Sequence, residues 1–99
     1  MDREAREVYL RRREEALDKV RRLLVASLEL PRAPDEIDPD TNLFGTGLGL
    51  DSVDAVEIVI GLEMSFGIKL TDPDARRRAL RSVNTLVDVV LATPGEAGA

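Results

Sequence analysis

The change from loop to helix that decides the fold lies in residues 48–57, which read Leu48-Gly49-Leu50-Asp51-Ser52-Val53-Asp54-Ala55-Val56-Glu57. Glycines precede this point, and the segment that follows is apolar and free of Pro. Ser52 is a good N-cap residue, and the acids in the next turn suit the positive end of a helix. We therefore predict a second helix over Val53 to Phe66, ended by Gly67.

The two sides of this second helix differ in composition. At about 100° per residue, one side carries Ala55, Val59, Leu62 and Phe66, flanked by Val56 and Ile58, and should face the core. The other side carries Val53, Asp54, Glu57, Ile60, Gly61, Met64 and Ser65. A purely solvated face does not need large apolar groups, so this side is a candidate partner surface. The alternative is that its apolar residues pack against another helix or the loop.

The chain ahead of residue 48 divides into a helix and a long loop. Leu17, Val20, Leu24 and Leu28 recur at helical spacing and predict a first helix through about Leu28. From Pro31 to Asp51 the sequence is rich in Pro, Gly, Asp and Asn, which disfavours helix and strand alike. A loop of this length tends to be functional. Its apolar residues Ile37, Leu43, Phe44 and Leu48 are the predicted anchors to the core.

Two further helices are predicted after Gly67. Thr71 as cap and Pro73 at the first position indicate a short third helix to about Leu80, and Ser82 caps a fourth that stops at residues 93–95. The predicted fold is all-α: a small four-helix bundle with three longer helices, a short third helix and a long loop between helices one and two. We expect an N-terminal extension at 1–15 that can be helical, a domain at 16–93 and a flexible tail at 94–99.

Composition excludes several functions for these 99 residues. The chain has no Cys, His or Trp, so it cannot build a disulfide, a Cys/His zinc site or a Ser-His-Asp triad from its own side chains. We expect no catalytic residues and no metal. Three aromatic residues and a net charge of −5 argue against nucleic-acid binding. No apolar run approaches the roughly 18 residues of a membrane span. We expect a cytoplasmic monomer.

The negative charge is concentrated in the middle of the chain. Residues 31–72 carry a net charge of −7, whereas the segments on either side each carry +1. Such a block indicates a surface that meets a partner with basic groups, because charge patterning steers encounters more than it stabilises folds. The alternative is an ordinary solvated face.

Residues 48–57 strongly resemble the acyl carrier protein family, in which the Ser of an Asp-Ser pair carries 4′-phosphopantetheine. The resemblance covers roughly 80 residues in the order and spacing of elements. It includes Phe44 eight residues before Ser52, Phe66 at the end of helix two, and Ser82-Val83-Asn84 at the start of the last helix. The resemblance implies a carrier rather than an enzyme, with Ser52 as the covalent attachment point of an arm taken from coenzyme A.

Simple electrostatics favours the same residue. A phosphodiester on Ser52 would lie at the N-terminus of helix two, where free amides and the helix dipole stabilise an anion. Gly47 and Gly49 leave space in which a modifying enzyme can bring coenzyme A to the hydroxyl. The alternative is that Ser52 is only an N-cap.

The family also implies partners. Asp51 is expected to contact the phosphopantetheinyl transferase. The candidate docking residues toward acyl-transferring and chain-modifying enzymes with basic patches are Val53, Asp54, Glu57, Ile60 and Met64. Two departures stand out: Met64 and Ser65 replace acids usual in fatty-acid-synthesis members, and helix three carries Arg76, Arg77 and Arg78.

These departures predict a specialised carrier for fatty-acid, lipid or polyketide-like synthesis. The alternatives are an aminoacyl or peptidyl carrier and an unmodified helical adaptor. Asp51 favours the acyl carrier over the peptidyl carrier, in which a small residue more often precedes the serine.

Overall fold

The computed structural model describes residues 2–45 and 47–93 and confirms the four-helix bundle. The four helices are α1 (Arg3–Leu28), α2 (Ser52–Phe66), α3 (Pro73–Ala79) and α4 (Val83–Ala92), and a 3-10 turn lies at Pro34–Glu36. The predicted tail, residues 94–99, lies outside the described part. Within the described ranges the only β-type pairing is two isolated bridges, Asn42 with Ser82 and Phe44 with Leu50.

The core is aliphatic and draws on every helix and on the long loop. Its fully buried large side chains are Leu24, Ile37, Leu43, Ile58, Leu62, Leu86, Val20, Val83 and Val87. The predicted loop anchors Ile37 and Leu43 are therefore confirmed, and Phe44 and Leu48 pack against the same cluster half-buried. Removing this much aliphatic surface from water is the main force that holds so short a chain together.

Helix α1 is longer than its buried stripe. It begins at an Asp2 cap, whose side chain accepts a hydrogen bond from the Ala5 amide (2.7 Å), and it continues without a break to Leu28. Its buried residues begin only at Ala16. Residues 3–12 are thus helical but exposed, and the Asp2 cap rather than packing stabilises this end of the helix.

Arg13 is the point where the exposed part of α1 meets α4. Its guanidinium donates hydrogen bonds to Asp88 Oδ1 (2.7 Å) and to Asn84 Oδ1 (3.1 Å). The hydrogen bond to the Asp88 carboxylate raises the pKa of Arg13 above its ordinary value. These charge-assisted hydrogen bonds tie the two helices together at this end of the bundle.

Two predicted caps are wrong by one residue. Asp51, not Ser52, caps α2, and Asp72, not Thr71, caps α3; each carboxylate accepts from the amide three residues on, at 3.0 Å. Asp51 as cap places Asp54 at the third helical position, where it completes a reciprocal capping box. For α3, Pro73 occupies the first helical position, so the cap is the residue directly before it. The Ser82 cap of α4 is confirmed.

Two residues of α2 do not lie where helical spacing placed them. Val56, expected to flank the core, is 56% exposed. Gly61, expected on the outer side, faces α1: a Cβ there would lie 2.6 Å from Leu23 Cδ1 and 3.1 Å from Ser27 Oγ. Ile58, Leu62 and Phe66 are buried as predicted. The face that α2 buries is thus rotated from the predicted one, because α1 packs against the side that contains Gly61.

Candidate functional site

The segment that leads into α2 is fastened to the start of α4. The Leu43 amide donates to the Arg81 carbonyl (3.1 Å), and the Val83 amide donates to the Thr41 carbonyl (3.1 Å). Asn84 adds a side-chain bond to Asp40 (2.6 Å). These bonds join parts of the chain some forty residues apart, so the loop has a defined position on the bundle.

A second set of backbone hydrogen bonds fixes the segment directly before the predicted attachment site. The Leu50 amide donates to the Leu43 carbonyl (3.0 Å), and Phe44 pairs with Leu50 as an isolated bridge. Leu50 is followed directly by Asp51 and Ser52. The entry of the chain into α2 is therefore held by backbone bonds that reach the fourth helix.

The backbone geometry of the loop requires glycine at positions 47 and 49, which the sequence alone did not show. A Cβ on Gly47 would overlap the carbonyl group of Asn42, which accepts a bond from the Leu48 amide at 2.9 Å. Gly49 has φ +67°, a conformation that side chains disfavour. Both glycines thus let the loop turn tightly before α2. The predicted role of leaving room for an enzyme remains a proposal.

Ser52 is the first residue of α2 and is exposed to solvent. Its hydroxyl is not required for capping, because Asp51 performs that role. The serine side chain is therefore available for reaction without loss of the helix cap. Its position at the helix start, on a rigid element fixed by the loop, suits a side chain that must be presented to another protein.

The amides at the start of α2 are partly used. The Asp54 amide donates to Asp51 Oδ1, the Asp51 amide donates to Asp54 Oδ2, and the Ala55 amide donates to the Asp51 carbonyl (3.1 Å). The amides of Ser52 and Val53 have no protein acceptor among the described residues. A phosphodiester on the Ser52 oxygen therefore fits the site: two amides without an acceptor and the positive end of the helix dipole lie at the same end of α2, while the neighbouring carboxylates oppose it.

The outer side of α2 presents large apolar groups to solvent. Val53 is 66% exposed, Ile60 45% and Met64 82%, so they do not pack against another helix or the loop. Glu57 is exposed beside them, and Asp54 is half-buried with its carboxylate engaged in the capping box. The structure thus brings together all five residues predicted for docking, but it leaves Asp54 less free than the others.

Sequence reasoning missed one member of this surface. Val56 lies three residues after Val53 and four before Ile60, a spacing that also brings it close to them on the helix. The rotation of 100° per residue placed it at the edge of the predicted core face, and it was assigned to that face. Val56 is exposed because α1 packs against the other side of α2.

Two kinds of feature are absent from the described residues. Within residues 2–45 and 47–93, no three Asp or Glu side chains come together in a way that could hold a metal ion. Over the same ranges no helix combines the length and the apolar character required to cross a membrane.

Comparison with known proteins agrees with this geometry. A family model described as "Phosphopantetheine attachment site" matches residues 18–90, well over half of the chain. The chain is 35% identical over 79 residues to a protein of Schizosaccharomyces pombe named as a putative mitochondrial acyl carrier protein. The aligned residues cover 78% of this chain and 68% of the relative. It is 30% identical over 76 residues to the acyl carrier protein of Thermosynechococcus vestitus, covering 77% and 88%.

A further relative is longer. Acyl carrier protein 2, mitochondrial, of Arabidopsis thaliana is 38% identical over 61 residues, which is 62% of this chain and 46% of that protein. The matching part is thus less than half of the Arabidopsis protein.

The chain belongs to the acyl carrier protein family, whose members bear a phosphopantetheine attachment site. It is a carrier rather than an enzyme, and its covalent cofactor is 4′-phosphopantetheine.

Proposed function

We propose that Ser52 carries the phosphopantetheine arm and that the protein presents acyl intermediates to the enzymes of a specialised fatty-acid, lipid or polyketide-like pathway. The observation that supports this most is an exposed serine at the start of α2 whose hydroxyl is released from capping by Asp51. When bound, the arm supplies a terminal thiol that holds the acyl group as a thioester.

The residues around Ser52 have separate roles in this proposal. Asp51 maintains the helix start and presents its carboxylate to the transferase. The free amides of Ser52 and Val53 bind the phosphate oxygens, which lowers the cost of placing an anion beside two carboxylates. Ser52 itself contributes the oxygen to which the arm is joined.

We place the docking surface for basic enzymes on the outer side of α2. Glu57 would pair with Lys or Arg, while Val53, Ile60 and Met64 would fill shallow apolar pockets. Charge steers the approach and the exposed methyl groups supply contact area, so binding is fast, weak and sensitive to salt. Asp54 acts mainly as part of the capping box.

The test is covalent loading followed by intact mass measurement. The protein is incubated with coenzyme A and a broad-specificity phosphopantetheinyl transferase. We expect a mass gain of one phosphopantetheine, its complete loss in Ser52→Ala, and its retention in Ser65→Ala, which removes another exposed serine of the same helix. No gain under conditions that load a control carrier would favour the unmodified adaptor.

A second step separates the two kinds of cargo. The loaded protein is offered acyl donors and aminoacyl donors with their respective transfer enzymes. We expect acyl transfer to dominate. Preferential aminoacylation would identify a peptidyl carrier instead. Equal turnover with general fatty-acid enzymes and with every other pathway would contradict the specialised role.

The compartment is a separate prediction. The sequence led us to expect a cytoplasmic protein, and two of the three relatives described above are named as mitochondrial. Cell fractionation followed by immunoblotting decides between the two compartments.

A further inference from the structure

Helix α3 and the residues after it form a basic surface on an otherwise acidic protein. Arg76, Arg77, Arg78 and Arg81 are all exposed and lie within six residues of one another. The chain as a whole has a net charge of −5. Four of the 14 basic residues of the chain therefore lie close together at α3, although the chain as a whole is acidic.

Contacts inside the protein leave most of this charge available. Arg77 Nη1 lies 3.2 Å from Asp74 Oδ1, but both side chains are largely exposed, so the attraction is weak. Arg76 donates two hydrogen bonds to the Leu70 carbonyl, at 3.1 and 2.9 Å. A carbonyl orients the guanidinium without neutralising it. Local pairing thus cancels at most one of the four positive charges.

A groove of about 610 Å³ opens between α3 and the long loop, and three of these arginines line it. Its apolar lining comes from Phe44 and Leu80, and its basic lining from Arg76, Arg77 and Arg81. Arg78 does not line the groove. Guanidinium groups around an apolar floor suit a segment that combines carboxylates with an apolar side chain.

The groove adjoins the chain that leads to Ser52. Phe44, in its lining, pairs with Leu50, two residues before Ser52. An enzyme that received an arm from Ser52 would therefore cover this loop as it docked. Because the outer face of α2 carries Glu57 and the groove carries arginines, such an enzyme would meet both signs of charge around one site.

We propose that this groove binds an acidic segment of the partner enzyme, with Asp or Glu side chains on Arg77 and Arg81 and an apolar side chain against Phe44. The inference rests on the proposed carrier function and adds a partner property to it. The docking rim of the enzyme is basic where it meets α2 and acidic where it meets α3. Opposite charges at two points fix the orientation of the complex and reject enzymes whose rim is basic throughout.

The test is an NMR titration of the full-length ¹⁵N-labelled protein with a blocked peptide of sequence Glu-Leu-Glu-Leu-Glu. We expect chemical-shift changes in fast exchange that are confined to residues 42–44 and 73–81. The affinity for the peptide should fall by about threefold or more between low and physiological salt. The peptide Lys-Leu-Lys-Leu-Lys should leave these residues unshifted.

Three charge-reversal variants make the test specific. Arg77→Glu and Arg81→Glu should each weaken binding by about fivefold or more, since an attractive contact becomes repulsive. Arg78→Glu changes the net charge equally but lies off the groove, so it should change the affinity less than about twofold. Circular dichroism checks that all three variants are folded.

Several results would overturn the inference. They are equal losses in all three variants, shifts centred elsewhere, or inorganic phosphate alone reproducing the shifts with similar affinity. Peptide binding does not depend on Ser52, so the Ser52→Ala protein should bind equally well. If the peptide does not bind the groove but Ser52 is loaded normally, the groove proposal is wrong and the proposed carrier function stands. If the peptide binds but Ser52 is not loaded, the groove proposal stands and the carrier function is wrong.

Discussion

At the scale of single residues, Asp51 combines a structural and a proposed recognition role. Its carboxylate accepts the Asp54 amide at 3.0 Å, and its own amide donates to Asp54 Oδ2 at 3.0 Å. The sequence assigned the cap to Ser52 and only the transferase contact to Asp51. Because the cap is Asp51, a variant there changes stability as well as recognition, and the two effects have to be separated.

Asp51→Asn and Asp51→Ala separate them. Asn caps helices about as well as Asp, whereas Ala loses a cap worth about 1 kcal/mol in free energy of unfolding. We expect Asp51→Ala to lower the urea midpoint clearly and Asp51→Asn to lower it only slightly. Both should reduce kcat/KM for loading by the transferase, since both remove the negative charge.

Different results would contradict the capping role and the recognition role of Asp51. Equal destabilisation by Asn and Ala would contradict the capping role. Full loading efficiency of the Asn variant would contradict recognition of the carboxylate. Glu63→Gln is the control for loss of an exposed negative charge on the same helix, outside both the cap and the proposed docking residues.

At the scale of elements, the contact between α1 and α2 depends on the absence of a side chain at Gly61. A Cβ there would press on the end of the Leu23 side chain, 2.6 Å away, and on Ser27 Oγ. Leu23 is buried, so it has little room to move. The glycine therefore permits the close approach that turns Val56 outward and leaves the docking side of α2 exposed.

Two substitutions at Gly61 test this contact. Gly61→Ala gains up to about 1 kcal/mol of helix propensity and loses a similar amount by displacing Leu23 from its rotamer, so the free energy of unfolding should change little. Gly61→Leu should cost about 2–3 kcal/mol through overpacking. Urea denaturation measures both.

An exposed position on the same helix provides the control. Glu63→Leu introduces the same side chain into solvent and should be nearly neutral. A Gly61→Leu protein as stable as the parent would mean that α1 and α2 are not in close contact there.

At the scale of the whole molecule, α1 consists of an exposed N-terminal part and a part that packs into the core. Its residues 2–12 are exposed, Arg13 joins α4 through Asp88, and Ala16 begins the buried stripe. We propose that the exposed part of the N-terminal extension, residues 2–12, is dispensable for folding. The extension as the sequence predicts it, residues 1–15, also contains Arg13, whose contact with α4 contributes to stability.

Two truncations test the extent of the extension. A chain beginning at Arg12 loses, of the described residues, only the exposed residues 2–11, so its free energy of unfolding should fall by less than about 1 kcal/mol. A chain beginning at Leu17 also loses the Arg13–Asp88 pair and buried Ala16, and should fall by a further 1–2 kcal/mol, roughly.

Arg13→Gln in the full chain isolates the ion pair, and Arg22→Gln is the matched control because Arg22 pairs with Asp18 within one exposed helix turn. Arg22→Gln should have the smaller effect. A large loss of stability in the shorter truncation would show that residues 2–11 contribute to folding.

Local features made the helices and the candidate site predictable. Gly67, Pro73 and Ser82 act on their immediate neighbours, and apolar spacing of 3.6 residues is visible without any partner. Ser52 was proposed from the resemblance of a motif ten residues long to the acyl carrier protein family. The caps of α2 and α3 were misplaced by one residue because Asp and Ser or Thr stand side by side and have similar capping strength.

Which residues meet was decided only by the tertiary structure. The side of α2 that is buried depends on how closely α1 approaches Gly61, and the groove beside Phe44 exists because backbone bonds from Leu43 and Val83 hold the loop against α4. The sequence by itself determined the helices and the all-α fold, since these follow from short-range interactions, and its resemblance to a family motif proposed Ser52 as the attachment site. The exposed side of α2 and the basic groove depend on contacts between residues far apart in the chain, which have no local signal.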